Sequence, residues 1–322
     1  MSTALSVSSI NRLGEALRKG QATREHVETL VRWRAGHIPV LVRALSFVRD
    51  ARSPNDACSA RLKNASTIRE KLVREKTRLA RMQDIAGVRI VMFDNDRARQ
   101  DAVVERISTL LEPIADQVTV KDRRAEPTHG YRACHVLLKT KSRSVEVQIR
   151  TDLQHRWAEC FERFADFLGR GIRYGQPPSH VVPMKIEGAE VSPNEIISQL
   201  KQLSDSIAEA EVMRNLDYRD VAEELKPFEA LLKSFQRPTV LASDLESEPH
   251  EWRLIRYDRQ EGTHELVREL EAEDSVVAQW LELEQQHDVD DRYENVVLLG
   301  RLEDIIRTHS RYFSRHAGPA PD

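Results

Sequence analysis

The sequence predicts an α/β fold of the α+β kind, a mixed β-sheet flanked by helices, and three observations carry that prediction. The run GVRIVMF at residues 87–93 is rich in β-branched residues and apolar on both faces, the pattern of a central strand covered on both sides. In residues 145–150, Val145, Val147 and Ile149 fall on one strand face, which leaves Glu146, Gln148 and Arg150 to line the other. Residues 97–111 and 153–168 have helical rather than alternating periodicity, so strands and helices follow one another along the middle of the chain.

Taken in order, residues 23–50 read as helix, with Val27, Leu30, Val31, Ile38, Leu41 and Leu45 at helical spacing and a break expected at Gly36 and Pro39. After the polar loop ARSPNDACS, a helix is expected over 67–82 and the central strand over 87–93. The helix over 97–111 ends before Pro113, and a short strand at 118–121 leads into a hairpin spanning 129–151. In the helix over 153–168, Trp157, Cys160, Phe161, Phe164 and Phe167 form an apolar stripe that reads as core. The prolines and glycine of YGQPPSHVVP, 174–183, mark a boundary, and residues 196–235 read as one or two helices. EWRLIRYD and THELVREL then pair as a hairpin, followed by a helix over 274–286, the strand ENVVLLG and a last helix over 302–309. The expected organisation is a helical segment 1–55, a catalytic domain 56–180, a helical linker region 181–239 and a small C-terminal α/β module 240–322. A regulatory, oligomerising or purely structural role suits that module equally.

With 322 residues, 40% of them hydrophobic, the chain can bury a substantial core. Its 49 basic and 52 acidic residues give a net charge of -3, so no global field draws it to nucleic acid or an anionic membrane. A polyanion must be met locally, and residues 61–81 offer Arg61, Lys63, Arg69, Lys71, Arg74, Lys76, Arg78 and Arg81 against Glu70 and Glu75. The three cysteines, Cys58, Cys134 and Cys160, are widely spaced and suggest neither a zinc knuckle nor a disulfide framework, which fits a reducing, cytoplasmic setting. The longest apolar run, IPVLVRALSFV, is short and broken by Arg43, so neither export nor a membrane span is expected.

Four stretches carry chemistry. In RLKNASTIREK, Arg61 and Lys63 precede a helix start at Ser66 or Thr67, with Lys71 one turn in; this reads as a triphosphate cradle or as a solvated basic helix face. In QDIAGVRIV, Asp84 stands at the rim of the buried strand and Arg89 within it, where a carboxylate suits magnesium or simply caps a turn. In KDRRAEPTHGYRACH, Lys121, Asp122, Arg123 and Arg124 precede a turn through Pro127 and Gly130, and Tyr131, Arg132 and His135 follow. An aromatic on such a turn beside cations is a platform for a base, or a plug for the core. Glu146, the fourth signal, could bind metal, act as general base or pair with Arg150.

Together these stretches resemble the synthetase domain of the RelA/SpoT family, alarmone synthetases that move pyrophosphate from ATP to the ribose 3′-hydroxyl of GDP or GTP, over about residues 58–175. The resemblance implies a nucleotidyltransferase-like synthetase domain and assigns Arg61, Lys63, Thr67, Lys71 and Arg89 to ATP. It makes Asp84, in DIAGVR, and Glu146, in EVQIRT, the catalytic acidic residues and the Mg²⁺ ligands, with Glu146 also helping to deprotonate the attacking hydroxyl. Lys121, Arg123, Arg124, Tyr131, His135, Gln148 and Arg150 fall on the acceptor side, with Tyr131 stacking on the acceptor base.

The chain departs from the family pattern at Thr128, where lysine is usual, at His129, where asparagine is usual, and in a loop one residue shorter. Arg123 and Arg124 are expected to cover for that lysine, which keeps GTP or GDP as the leading acceptor, with the 3′ end of tRNA as an alternative and a silent nucleotide sensor as a third reading. A homo-oligomer is left open. No segment the size of the family's hydrolase domain precedes residue 55, and the dipeptide His287-Asp288 is expected in a surface loop, so a synthetase without its own hydrolase is expected.

Overall fold

The computed structural model describes residues 5–212, 218–234, 251–258, 263–270, 273–286 and 293–313. Their centre is an eight-stranded sheet in the order β3-β4-β5-β2-β1-β10-β8-β9, built from β1 (Ala57–Leu62), β2 (Ala86–Val91), β3 (Gln117–Asp122), β4 (Cys134–Lys139), β5 (Ser144–Arg150), β8 (Trp252–Asp258), β9 (Thr263–Leu270) and β10 (Tyr293–Leu299). The pair β2–β5 is parallel and the other ladders are antiparallel, so the sheet is mixed as the sequence predicts. A separate two-stranded ribbon pairs β6 (Met184–Ile186) with β7 (Ala189–Val191), an element the sequence reading did not contain.

Each face of the sheet has its own cover. One is apolar: Cys58, Ala60, Val88, Ile90, Val136, Val145, Val147 and Ile149 pack under α3 (Ile38–Ala51), α5 (Arg97–Leu111) and α9 (Glu273–Gln286). Gly36 closes α2 (Arg24–Ala35) and Pro39 sits in the first turn of α3, which is the expected break. The opposite face is polar at its centre and bears α6 (Asp152–Leu168) and α10 (Leu302–Thr308). Beyond it α6 packs with α7 (Pro193–Val212) and α8 (Tyr218–Ser234) in a second apolar cluster that includes Trp157, Phe161, Phe164, Leu200 and Leu225. A third cluster joins α1 (Val7–Arg18), α2 and α4 (Ala65–Glu75) through Leu13, Leu17, Trp33, Ile68 and Leu72.

Several expectations need correction. The helix expected over 67–82 starts at Ala65 and stops at Glu75, because Lys76 turns left-handed (φ 48°) and a 3₁₀ turn, Leu79–Arg81, follows. Phe167 lies 41% exposed, and the buried stripe of α6 runs instead through Leu153, Trp157, Cys160, Phe161, Phe164 and Leu168. β1 was not foreseen. Its small residues, ACSARL, give a weak strand signal, and its assignment depends on partners on both sides.

The C-terminal elements follow the expected order, but their strands do not form a sheet of their own. β10 pairs with β1, Ala60 opposite Leu299 and Leu62 opposite Val297, and so extends the sheet that β1–β5 form. Without β10 the backbone of β1 would present an open edge. His287 and Asp288 lie outside the described residues. Among the described residues no helix is long and apolar enough to cross a membrane. The three cysteines are free and buried, and burial pushes the Cys58 and Cys134 thiols up to about 12.

Candidate active site

Strand register brings the sequence-predicted side chains together on the polar face. Arg61 on β1 lies opposite Gly87 on β2, and Gly87 lies opposite Glu146 on β5. One step along, Ser59, Arg89, Gln148, His135 and Lys121 form the next row across five strands. Directly opposed residues point the same way, so Gly87 leaves an open floor between the Arg61 cation and the Glu146 carboxylate.

Around Glu146 the side chains close a ring. Glu146 Oε1 is 3.0 Å from His135 Nδ1, and His135 Nε2 is 2.9 Å from the Tyr131 hydroxyl. Arg150 Nη2 donates to that hydroxyl at 2.9 Å and to Gln148 Oε1 at 3.3 Å, and Gln148 Nε2 donates back to Glu146 Oε2 at 2.9 Å. Burial works against charge on both His135 and Glu146, yet the imidazole is raised to about 9 by Tyr131 and Glu146, and the carboxyl is held down near 2 chiefly by His135. An imidazolium–carboxylate pair follows.

The turn that delivers Tyr131 is tightly specified. His129 (φ 54°) and Gly130 (φ 91°) are both left-handed, and Tyr131 N–H closes the turn on Thr128 O at 3.1 Å. A Cβ at Gly130 would lie 2.7 Å from the Trp157 ring, so the position also has no room for a side chain. Arg132 braces it from behind, through Ser204 O and Oγ and the Asp205 carboxylate at 2.5 Å.

A second group gathers at the end of β1. The Lys63 backbone N–H bonds Ile85 O at 2.8 Å, which sets Lys63 beside Asp84. Lys63 Nζ and Lys71 Nζ both donate to Asp84 Oδ2, at 2.6 and 2.9 Å, and Asp84 Oδ1 is buried with no hydrogen-bond partner. Burial alone would raise the Asp84 carboxyl, but the two ammoniums outweigh it and hold it far below the usual carboxylate range. Asp84 in turn exerts an upward pull on Glu146, so the two acids are within electrostatic reach. Thr67 is half-buried one turn before Lys71 on α4, whose N-cap is Asn64 rather than Ser66 or Thr67.

Two hard carboxylates, one with an unused buried oxygen, match what Mg²⁺ takes when phosphate oxygens complete its shell. Among the described residues no group of three or more His, Cys, Asp or Glu side chains could hold a metal unaided.

The remaining predicted cations separate. The exposed Lys121 reaches Gln83 Oε1 with Nζ at 3.5 Å, and the half-buried Arg123 donates to Thr128 Oγ1 at 2.9 Å. Arg124 is buried against α5, in ion pairs with Asp101 at 2.5 Å and Asp122 at 2.7 Å and a hydrogen bond to Gln100 at 3.0 Å. Arg89 donates to Glu159 Oε1 at 2.9 Å and to the carbonyl of Thr308. Glu159 and Thr308 escaped the sequence reading. His155 and Glu159, four apart on the sheet-facing side of α6, were the one local signal; for Thr308 there was none.

Residues 60–164 match the family model described as the region found in RelA / SpoT proteins. Over 136 residues the chain is 40% identical to an uncharacterized protein of Mycobacterium tuberculosis, and equally to one of Mycobacterium bovis, covering 40% of this chain and 48% of each relative. The chain thus spans about half the length of the curated relatives it matches. Among solved structures, the small alarmone synthetase 1 from Bacillus subtilis bound to its product pppGpp aligns at 23% identity over 59% of this chain and 94% of that one, with a TM-score of 0.38. The same synthetase bound to AMPCPP aligns at 21% identity over 60% and 90%, with a TM-score of 0.32.

Proposed function

With residues 60–164 matching the RelA/SpoT region, we propose that the chain is a pyrophosphotransferase of the alarmone-synthetase kind, moving the terminal pyrophosphate of ATP to the ribose 3′-hydroxyl of GTP or GDP. The observation that carries this reading is the juxtaposition, on one sheet face, of the Glu146 ring and the Asp84–Lys63–Lys71 cluster. Phosphoryl-type transfer asks mainly for positioning and charge neutralisation, and both are at hand.

In this reading the 3′-oxygen bonds to the β-phosphorus, the bond from that phosphorus to the α,β-bridging oxygen breaks, and AMP leaves with that oxygen. The hydroxyl proton passes to the Glu146 carboxylate, which His135 keeps ionised. Its basicity rises as the His135 bond lengthens. Arg61, Lys63, Thr67, Lys71 and Arg89 take the ATP side. Asp84 and Glu146 would hold a magnesium ion, which would supply charge neutralisation to the transferred group. Tyr131, His135, Gln148 and Arg150 shape the acceptor side, with the exposed Lys121 and the half-buried Arg123 at its rim. The free buried cysteines suit a cytoplasmic setting.

One observation favours a second acceptor. Arg124, one of two cations expected to replace the family's loop lysine, is tied to Asp101 and Asp122. An acceptor without a 5′ polyphosphate, such as the 3′ end of tRNA, needs no such cation.

The test is to incubate the protein and Mg²⁺ with ATP labelled in its β-phosphate, adding GTP, GDP, deacylated tRNA or no acceptor. Label in a guanosine tetra- or pentaphosphate establishes the first reading, and label on tRNA alone establishes the second. Label nowhere overturns both and leaves a nucleotide sensor.

A further inference from the structure

Arg89 stands in the centre of β2 on the active face, between Ser59 of β1 and Gln148 of β5. Only its Nη1 meets a protein partner among the described residues, donating to Glu159 Oε1 at 2.9 Å and to the Thr308 carbonyl. That leaves Nε and Nη2 without a protein partner among the described residues, so the rest of the guanidinium is available to a ligand. A 5% exposed arginine on a strand is aimed by whatever holds its anchored nitrogen.

Both anchors are themselves fixed, and the fixing comes from the far end of the chain. Glu159 Oε2 accepts from Ser310 Oγ at 3.3 Å. Thr308 closes α10, where carbonyls lack helical partners and seek donors. Its hydroxyl lies 2.5 Å from Ser59 Oγ, which also meets His309 Nδ1 at 3.1 Å, so α10 is pinned to β1 beside Arg89. His155 Nε2 holds Arg307 O at 2.9 Å, Arg307 Nη1 holds Asn55 O at 2.8 Å, and Arg52 pairs with Asp304 at 3.2 Å. These polar contacts add to the apolar cluster in which Leu302, Ile305, Tyr312 and Phe313 join Ile255, Val296 and Leu298, so the segment is both packed and hydrogen-bonded in place.

We infer that Glu159 and the C-terminal segment 302–313 are positioning elements for the ATP site: they fix Nη1 of Arg89 and so set how its guanidinium is presented to ATP. This inference rests on the proposed ATP-dependent reaction and adds to it a role for residues beyond the matched region 60–164. Glu159 touches no reacting atom; it acts through Arg89.

The test measures the affinity of the full chain for an α,β-methylene ATP analogue with Mg²⁺, alongside separate KM values for ATP and acceptor. Glu159→Ala is expected to weaken analogue binding and raise the ATP KM by about tenfold, the size of a lost hydrogen bond to a charged group, while the acceptor KM stays within twofold. Glu159→Gln, which keeps an acceptor oxygen, is expected to restore most of the loss. Ser310→Ala, a mild change that guards against a folding defect in the first variant, is expected to raise the ATP KM about two- to threefold by loosening Glu159. If wild type binds the analogue and Glu159→Ala binds it equally well, the positioning role falls and the proposed function stands. An equal rise in both KM values likewise overturns it, because general loosening of the fold would do that. If wild type binds no analogue, the ATP reading falls and takes this inference with it.

Discussion

His135 Nδ1 lies 3.0 Å from Glu146 Oε1, and each side chain holds the other in its charged form. The histidine is raised to about 9 and the glutamate held near 2, although burial opposes both shifts. Glu146→Gln removes the anion and leaves a neutral amide. The His135 pKa is then expected to fall markedly, as read from imidazole chemical shifts, and turnover to drop at least the roughly 10²–10⁴-fold of a lost acid–base group. A His135 titration unmoved by the substitution would refute the pairing.

Stability should follow the same pair. Raised from 6.5 to about 9, His135 contributes in full below pH 6.5 and loses its contribution as pH climbs through 9. Glu146, depressed from 4.5 to about 2, contributes above pH 4.5 and loses it as pH falls through 2. Unfolding free energy is therefore expected to fall by up to about 3 kcal/mol from pH 6.5 to above 9, and His135→Gln to remove most of that slope. Denaturant melts at about pH 6 and pH 9.5 measure both.

Asp84→Asn leaves Lys63 and Lys71 facing each other without their shared anion. Turnover is expected to fall at least about 10²-fold. The fold should weaken by about 1–3 kcal/mol, the range for a buried polar group losing its partner. Turnover within twofold of wild type would show that Asp84 holds no essential metal.

Gly130→Ala combines a left-handed backbone, φ 91°, with a methyl aimed 2.7 Å from the Trp157 ring. The cost is expected to be about 1–3 kcal/mol, seen as a lower Tm, and acceptor KM should rise more than ATP KM because this turn delivers Tyr131. Equal stability of the two proteins would mean that the turn is not held as described.

A chain ending at residue 235 loses β8, β9, β10 and α10, and with them the partner of β1. It is expected to aggregate through the opened β1 edge and to show weak hydrogen-exchange protection at residues 57–62. A soluble, two-state, fully protected fragment would establish that residues 240–322 are a separable module.

What was legible in the sequence was what short stretches decide. The 97–111 helix, the alternation of Val145, Val147 and Ile149 and the order of the C-terminal elements follow from periodicities that a few residues carry by themselves. The shared facing of Glu146, Gln148 and Arg150 was legible because spacing along a strand dictates it, and register with β4 then brings His135 to them.

Tertiary structure alone decided which distant group meets which. Nothing near Arg124 in sequence announces that Asp101 will pair with it, and nothing near Arg89 announces Thr308. Likewise ACSARL becomes β1 only because β2 and β10 satisfy its backbone groups from either side. The physical reason is shared: buried charges and strand edges must find partners, and those partners come from chain that local periodicity does not reach, 23 residues away for Arg124 and 219 for Arg89.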